Sequence, residues 1–499
     1  MLNKTWYVGV SAAWIAMLIV LPFTSLPLVQ ALTGADSVAA ASGLVLPLLV
    51  VAWLVPLVLR RQPFPRQSLP LLAFALVALI STLLSTFFEI PAYKGISALD
   101  AQVKALITLA IGLCFYLAAA TWPVTEKRLE MSLRIINWTG LAIIFWSLTQ
   151  AIAWEYYNRY PQWMRDINDL YSIGPLIRAR VSGFTLEPSW LAHQLNLLYL
   201  PLWLSAAARR HTVHRFRLWV FNFEDLLLVG GTVVLFLTLS RVGLVAFLLM
   251  VGVILLKFTL RAAAWVKYKV SKSPRFPVSL RALWQRSGLA VVLILFLLVY
   301  AAGLFGLAQG IQHFDRRMQT MFQIDLAAAA PIMSYANRLL FASRLLYWQA
   351  GWGIFEERPM IGVGLGNAGF YFPQMLSQFA WTQFEVRDLV YRSNILLNIK
   401  SLWVRLLAET GVAGFALFVG WIYLMWMTAR YLIYDRWRTG QQLALAGQLI
   451  IIAFMVEGFS LDTFALPYLW IGLGLVTAAA TAMSASSIPA APVTEDQSK

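Results

Sequence analysis

The chain has 499 residues, of which 60% are hydrophobic and 12% are charged, and its formal net charge is +16. Soluble domains carry about 25% charged residues, whereas apolar stretches of about 20 residues, each long enough to cross a hydrocarbon core, recur along this chain. A soluble enzyme is therefore excluded, and the composition predicts an all-α integral membrane protein. The single cysteine, Cys114, also excludes an intramolecular disulfide and a cysteine-based metal site.

The apolar stretches predict about twelve transmembrane helices. In chain order they are 6–24, 38–59, 69–88, 103–122, 133–153, 187–206, 224–239, 242–256, 288–307, 411–429, 443–460 and 465–483. One polytopic domain, 1–483, contains all of them and a large, partly helical polar loop, 308–410, between helices 9 and 10. The last residues, 484–499, are small and polar and predict a disordered cytoplasmic tail.

Lys and Arg in the connecting segments predict the orientation, because cytoplasmic loops carry an excess of these residues. The basic segments are 60–68, 123–134, 207–222, 257–286 and 430–442. In a twelve-helix count they all fall on one side, so both termini are expected in the cytoplasm and the loop 308–410 outside. The positive net charge then reflects membrane topology and does not indicate nucleic acid.

The segment from Leu226 to Leu256 has 31 residues and would form a single helix of about 46 Å. The basic segments on both sides of it require an even number of crossings, so we expect the chain to turn back near Ser240 and Arg241. Arg241 should then lie below the outer membrane surface. A charge at that depth is costly and indicates function. The alternative is an arginine that extends to the outer head groups.

Two arginines, Arg178 and Arg180, precede the sixth predicted helix at its outer end. Glu187 and Pro188 suit the first turn of that helix. Guanidinium groups near a helix N-terminus match phosphate oxygens, which makes both arginines candidate anion ligands, with interfacial anchoring as the alternative. His193 lies one turn into the helix, where packing is a commoner role than catalysis.

Within the loop 308–410, the segment 342–355 predicts an amphipathic helix. Its predicted apolar face consists of Leu345, Trp348, Trp352 and Phe355. The glycine-rich run 362–369 nominally matches a dinucleotide-binding pattern, but no strand–helix–strand unit surrounds it. We interpret its glycines as allowing a tight turn or a close approach of the backbone to a ligand.

The end of the loop, 392–411, predicts a helix that continues into helix 10 and carries Lys400, Arg405 and Glu409. Glu409 could pair with Arg405 at i, i+4 spacing and be purely structural. Aromatic residues of the loop suit stacking on sugar rings or, more commonly, residence at the head-group layer. No P-loop, zinc motif or paired-aspartate motif occurs, so neither a metal nor a cofactor is expected.

Four segments resemble the O-antigen ligase and polymerase superfamily of bacterial integral-membrane glycosyltransferases. They are 180–188, 239–243, 344–366 and 406–415. The resemblance implies a GT-C-like membrane fold in the bacterial inner membrane. It also implies transfer of a glycan from undecaprenyl diphosphate, at the periplasmic face, to a glycan, lipid or protein acceptor in cell-surface polysaccharide biosynthesis. Expected partners are the lipid-linked donor, the acceptor, the bilayer and other envelope-biosynthesis proteins.

Arginines on the outer side contact the donor diphosphate in this family, which implies that role for Arg180 and Arg241, with Arg344 as a third. The candidate catalytic residues are Arg180, Arg241, Glu187 and Glu409. The candidate substrate ligands are Arg178, Arg344, Tyr347, Trp348, Lys400 and Arg405. The general base stays open among Glu187, Glu409 and Asp388.

One position departs from the family pattern. Ligases of this family carry a His-Asn pair where this chain has Lys400 and Ser401, and a lysine with an ordinary pKa near 10.4 is not a base at neutral pH. This departure favours a repeat-unit polymerase or exopolysaccharide enzyme over a lipid A–core ligase. The alternative function is a non-enzymatic transporter or flippase for lipid-linked glycans. It would use midplane polar residues, of which the candidates are Gln150, Asn196 and Glu457.

Overall fold

The computed structural model describes residues 4–33, 39–272, 278–314, 335–337 and 341–486. In chain order the helices are α1 (Lys4–Ile19), α2 (Pro27–Thr33), α3 (Ser42–Leu59), α4 (Arg66–Ser85), α5 (Ala98–Thr121), α6 (Glu126–Tyr157), α7 (Gln162–Tyr171), α8 (188–209), α9 (Phe223–Leu237), α10 (Arg241–Lys272), α11 (Val278–Phe314), α12 (Ala342–Glu357), α13 (Ala368–Met375), α14 (Phe384–Tyr391), α15 (Leu402–Tyr431), α16 (Arg438–Glu457) and α17 (Pro467–Ser486). A hairpin of β1 (Arg217–Leu218) and β2 (Phe221–Asn222) lies between α8 and α9.

A helix lies at each of the twelve predicted membrane segments, which confirms the all-α membrane class. Within the described ranges, nine helices are long and apolar enough to cross a membrane. Of the others, α1 and α9 have only 16 and 15 residues, and α8 contains a π-helical turn, Leu195–Tyr199.

The chain turns back between Leu237 and Arg241, where the charge pattern predicts a reversal. The second arm differs from the prediction, because α10 continues for 32 residues through the basic segment expected to be a loop. Lysine, arginine and alanine are strong helix formers, so the helix extends well beyond the apolar stretch at its start.

The centre of the bundle is formed by α16 and α17, whose most apolar windows are both 78% buried. Small residues allow α17 to approach α5 closely, since a Cβ at Gly474 would lie 2.5 Å from the Cβ of Ala119. In contrast, the apolar window of α11 is only 6% buried, so this helix lies at the lipid-facing periphery. At the other end, α17 reaches Ser486, three residues into the predicted tail, and 487–499 lie outside the described residues.

The described part of the large loop has a small hydrophobic core of its own, built from α12, α13 and α14. The buried face of α12 consists of Leu346, Tyr347, Ala350 and Ile354. The predicted apolar face was therefore wrong, and Trp352 is 49% exposed. Helical spacing alone permits two apolar faces on this segment, and the loop packs against the one that carries smaller side chains.

The glycine-rich run fastens the loop to the membrane helices. The backbone amides of Val363 and Gly364 donate to the carbonyl oxygens of Ala408 and Glu409 in α15, at 2.9 and 3.0 Å. At Gly362, with φ +71°, a Cβ would lie 2.4 Å from the carbonyl carbon of Glu409. The run therefore approaches the backbone of α15 closely, whereas the sequence predicted a tight turn or a close approach to a ligand.

Candidate active site

Arg180 and Arg241 lie at the turn between α9 and α10. Leu239 adopts a left-handed conformation with φ 49°, and the hydroxyl of Ser240 accepts a hydrogen bond from the amide of Gly243 at 3.4 Å. These features end one helix and begin the next at Arg241. Nε of Arg180 donates to the carbonyl oxygen of Thr238 at 2.8 Å, so the segment before α8 is bound to the same turn.

An apolar groove begins at this turn. It has a volume of about 400 Å³ and runs between α10, α12 and the end of α16. Its lining consists of Arg241, Val242, Val245, Trp348, Met455, Val456 and Phe459. Among the described lining residues, one guanidinium group stands against otherwise apolar walls, which suits an amphiphile that has an anionic group at one end of a hydrocarbon chain.

A buried polar cluster lies beside the groove, at the level where α8, α10 and α16 meet. Nδ1 of His193 contacts Oε2 of Glu457, and both side chains are almost fully buried. Nδ2 of Asn196 donates to Oε1 of Glu457 at 2.6 Å and to the carbonyl oxygen of Gly243 at 2.8 Å. The π-helical turn of α8 begins directly after Gln194, and such turns are frequent at functional sites. The cluster therefore ties the first turn of α10 to the end of α16.

Sequence reasoning assigned Glu457 only to the alternative transporter and did not connect it with His193. The available signal was a single carboxylate in an otherwise apolar helix, which is costly in a membrane unless it is paired. Gln150, another residue considered for transport, accepts from the backbone amides of Ser182 and Gly183 at 3.1 and 3.0 Å. Its bonds fix the segment before α8.

Residues of the large loop contact the connection between α16 and α17. Nη1 of Arg344 donates to the hydroxyl of Ser460 at 2.8 Å, and the rings of Trp348 and Phe459 are 5.4 Å apart. From the other direction, the backbone amide of Lys400 donates to Oδ2 of Asp462 at 3.2 Å. No site prediction included this connection, although it joins the groove to both α12 and the end of the loop at Lys400.

The cations at the end of the loop lie against carboxylates. Nζ of Lys400 contacts Oε1 of Glu385 and lies 4.8 Å from the centre of the Tyr347 ring. Nε of Arg405 donates to Oε2 of Glu409 at 2.8 Å, with both side chains largely buried. These contacts make Lys400 and Arg405 members of ion pairs within the protein.

The pKa of the Glu385 carboxyl depends on burial and on the neighbouring cations. Partial burial acts to raise its pKa, but the charge and hydrogen bond of Lys400, with Ser343 and Arg344, outweigh it, so the pKa of Glu385 is lowered. Burial raises the pKa of Tyr347. The described geometry therefore keeps Glu385 ionised and Tyr347 neutral at pH 7.

Three further candidates have local contacts. The carboxylate of Glu187 accepts from the hydroxyl of Ser189 at the start of α8, and Arg178 is exposed. Asp388 lies 3.6 Å from Arg392 on the exposed face of α14. In the ranges that the structure covers, no group of three or more His, Cys, Asp or Glu side chains is arranged to hold a metal ion.

The fold and the buried charges define a multi-pass α-helical membrane protein with a polar site at one end of its bundle. Residues 226–419 match the family model of the O-antigen ligase, which confirms the resemblance to the O-antigen ligase and polymerase superfamily. The family indicates an enzyme of the glycan ligase or polymerase type. Curated proteins include no match to this chain.

Proposed function

We propose that the chain transfers or polymerises glycans carried on undecaprenyl diphosphate at the periplasmic face of the bacterial inner membrane. The observation that carries this proposal is the bond from Arg180 to the turn that presents Arg241, at the mouth of an apolar groove of about 400 Å³. In this arrangement the arginines bind the diphosphate and the groove takes the first part of the polyprenyl chain. The expected positions of the termini, in the cytoplasm, follow from the same orientation.

The reaction needs charge stabilisation more than covalent chemistry. An acceptor hydroxyl oxygen forms a bond to the anomeric carbon of the donor, the bond from that carbon to the diphosphate oxygen breaks, and the diphosphate leaves with the electron pair. Negative charge on the leaving group grows in the transition state, where fixed guanidinium groups in a recess of low dielectric stabilise it. The hydroxyl proton passes to a base, for which Glu187 is the candidate nearest to Arg180 in the chain.

We assign His193, Asn196 and Glu457 a positioning role. The bonds of Asn196 to Gly243 and Glu457 hold the first turn of α10 against the end of α16. Since Arg241 starts that turn and Val456 and Phe459 line the groove, the cluster fixes the width of the groove at the guanidinium group. A displacement of about 1 Å in such a site costs about 10²-fold in rate.

Lys400 supports the polymerase form of the proposal. Its contacts with Glu385 and with the Tyr347 ring are those of an ammonium cation. We therefore propose that Lys400 organises the end of the loop, where the acceptor glycan enters, and does not remove a proton. Trp348 and Arg344, which meet the α16–α17 connection, would then contact the donor sugar.

The test uses purified full-length protein, lipid-linked repeat units and products separated by size. A ladder of products defines a polymerase, and a single transfer to a distinct acceptor defines a ligase. Arg180→Ala and Arg241→Ala should each lower the rate by about 10²–10³-fold, while Arg165→Ala, an exposed arginine of the same outer segment, should leave it unchanged.

Melting temperatures of the variants separate loss of chemistry from loss of folding. Normal product length and yield in both arginine variants would refute the proposed site. Equal loss in the Arg165→Ala control would point to a general effect of outer-surface charge.

A further inference from the structure

A second cavity lies at the other end of α10. It has a volume of about 250 Å³ and is formed where α8, α10 and α16 come together below the bundle centre. Its lining consists of Ala208, Arg209, Ile254, Lys257, Phe258, Arg261, Ile433, Leu445 and Gln448. Lys257 is about 24 Å along the helix from Arg241, at a rise of 1.5 Å per residue, so the two cavities face opposite membrane surfaces.

Three cations converge on this cavity. The positive charges of Arg209 and Arg261 both act on the ammonium group of Lys257, and that of Arg261 acts on Arg209. Nζ of Lys257 is held at 2.5 Å from Oε1 of Gln448, a neutral acceptor. Among the described residues, none of the three cations makes an ion pair with a carboxylate. Like charges that line one cavity repel each other, and a bound anion relieves the repulsion.

The walls of the cavity identify the class of anion. Beside the cations, Ile254, Phe258, Ile433 and Leu445 form an apolar surface, and Phe258 is 48% exposed on the outside of the bundle. A basic pocket between membrane helices with an adjoining apolar wall is suited to the head group and upper acyl chain of an anionic lipid. Guanidinium groups also match phosphate oxygens in two-point contacts.

We propose that Arg209, Lys257 and Arg261 form a binding site for a phosphate-bearing anion on the membrane face opposite the proposed active site. An anionic phospholipid of the surrounding leaflet and a soluble phosphate compound share this chemistry, and the apolar wall favours the lipid. The bound anion links α8, α10 and α16 at the end remote from Arg241, and so stabilises the same three helices that the His193–Glu457 cluster joins at the other end.

The test measures binding to the detergent-purified full-length protein by isothermal titration calorimetry. The probes are dioctanoyl phosphatidylglycerol, dioctanoyl phosphatidylcholine and inorganic phosphate. Phosphatidylglycerol should bind saturably, and phosphatidylcholine, which has no net charge, should bind at least about tenfold more weakly. Inorganic phosphate as tight as phosphatidylglycerol would identify a soluble ligand for the same site.

Variants locate the site. Arg209→Gln should weaken phosphatidylglycerol binding by about fivefold, and Lys257→Gln combined with Arg261→Gln by about 30-fold, at roughly fivefold per cation. Arg60→Gln is the control, because Arg60 is exposed and lies on the same predicted side. Gel-filtration profiles exclude misfolded variants, and the single variant serves if the double one fails to fold. Equal binding of the two lipids, or unchanged binding in both pocket variants, would overturn the proposal.

Discussion

Two groups of cations on the predicted outer side differ in what they contact. Among the contacts that the structure describes, Nε of Arg180 donates to a backbone carbonyl at the turn before Arg241, and this bond orients the guanidinium group at the mouth of the groove. Lys400 and Arg405 at the end of the large loop lie against the carboxylates of Glu385 and Glu409. Under the proposed function, the first arrangement places a guanidinium group where the diphosphate would bind, whereas the ion pairs of the second connect parts of the protein to each other. Motif position alone does not distinguish these two roles.

The largest expected effect separates the two groups directly. Arg241→Ala should lower the transfer rate by about 10²–10³-fold, whereas Lys400→Ala should lower it by less than about tenfold, the cost of a loosened surface ion pair. Initial rates with the lipid-linked repeat unit measure both. If Lys400→Ala were the more damaging change, the loop end and not the turn would be the site of chemistry.

The next largest effect is expected from a substitution where the loop attaches to α15. At Gly411, with φ +63°, a Cβ would lie 2.4 Å from the backbone of Met360, so Gly411→Ala should destabilise the protein by on the order of 3 kcal/mol. Thermal unfolding in detergent measures the change. Gly420→Ala on the same helix is the matched control, because nothing lies within 4 Å of a Cβ there; similar losses in both variants would argue against the attachment.

Substitution of Glu409 tests whether this carboxylate is structural or acts as the general base. Glu409→Gln retains an acceptor for Arg405 but loses the charge, so the melting temperature should fall while the rate falls by less than about tenfold. A general base would behave differently, with a loss of about 10²–10⁴-fold and an unchanged melting temperature. Parallel measurement of rate and melting temperature decides between the two roles.

The smallest effect concerns the Lys400–Glu385 pair. Because the pKa of Glu385 is lowered in the folded protein from its ordinary 4.5, its stabilisation is present above pH 4.5 and is lost as pH falls through the lowered value. The side chain is 45% exposed, so Glu385→Gln should lower the melting temperature by only about 1–2 °C at pH 7. The difference between wild type and variant should shrink as the pH falls below 4.5 and vanish once Glu385 is protonated; a constant difference would exclude the ion pair as its cause.

Much of the architecture was predictable because the thickness of the bilayer sets the length of apolar segments and basic residues mark the cytoplasmic loops. The helix positions and the reversal before Arg241 follow from those two signals. The buried face of α12 was not predictable, since its spacing allows two apolar faces and only the packing of α13 and α14 selects one. The Arg405–Glu409 pair could be anticipated from its i, i+4 spacing. The Lys400–Glu385 pair could not, because the fold brings these two residues together.

The sequence by itself determined the membrane class, the turn at Ser240 and Arg241, and the family resemblance that the match over residues 226–419 confirms. These features depend on local composition and short motifs, so they can be recognised without knowing how the helices pack. Only the tertiary structure decided that Glu457 meets His193, that the α16–α17 connection contacts the large loop, and that Lys400 contacts Glu385. Such contacts join residues far apart in the chain, and their geometry depends on how the helices pack.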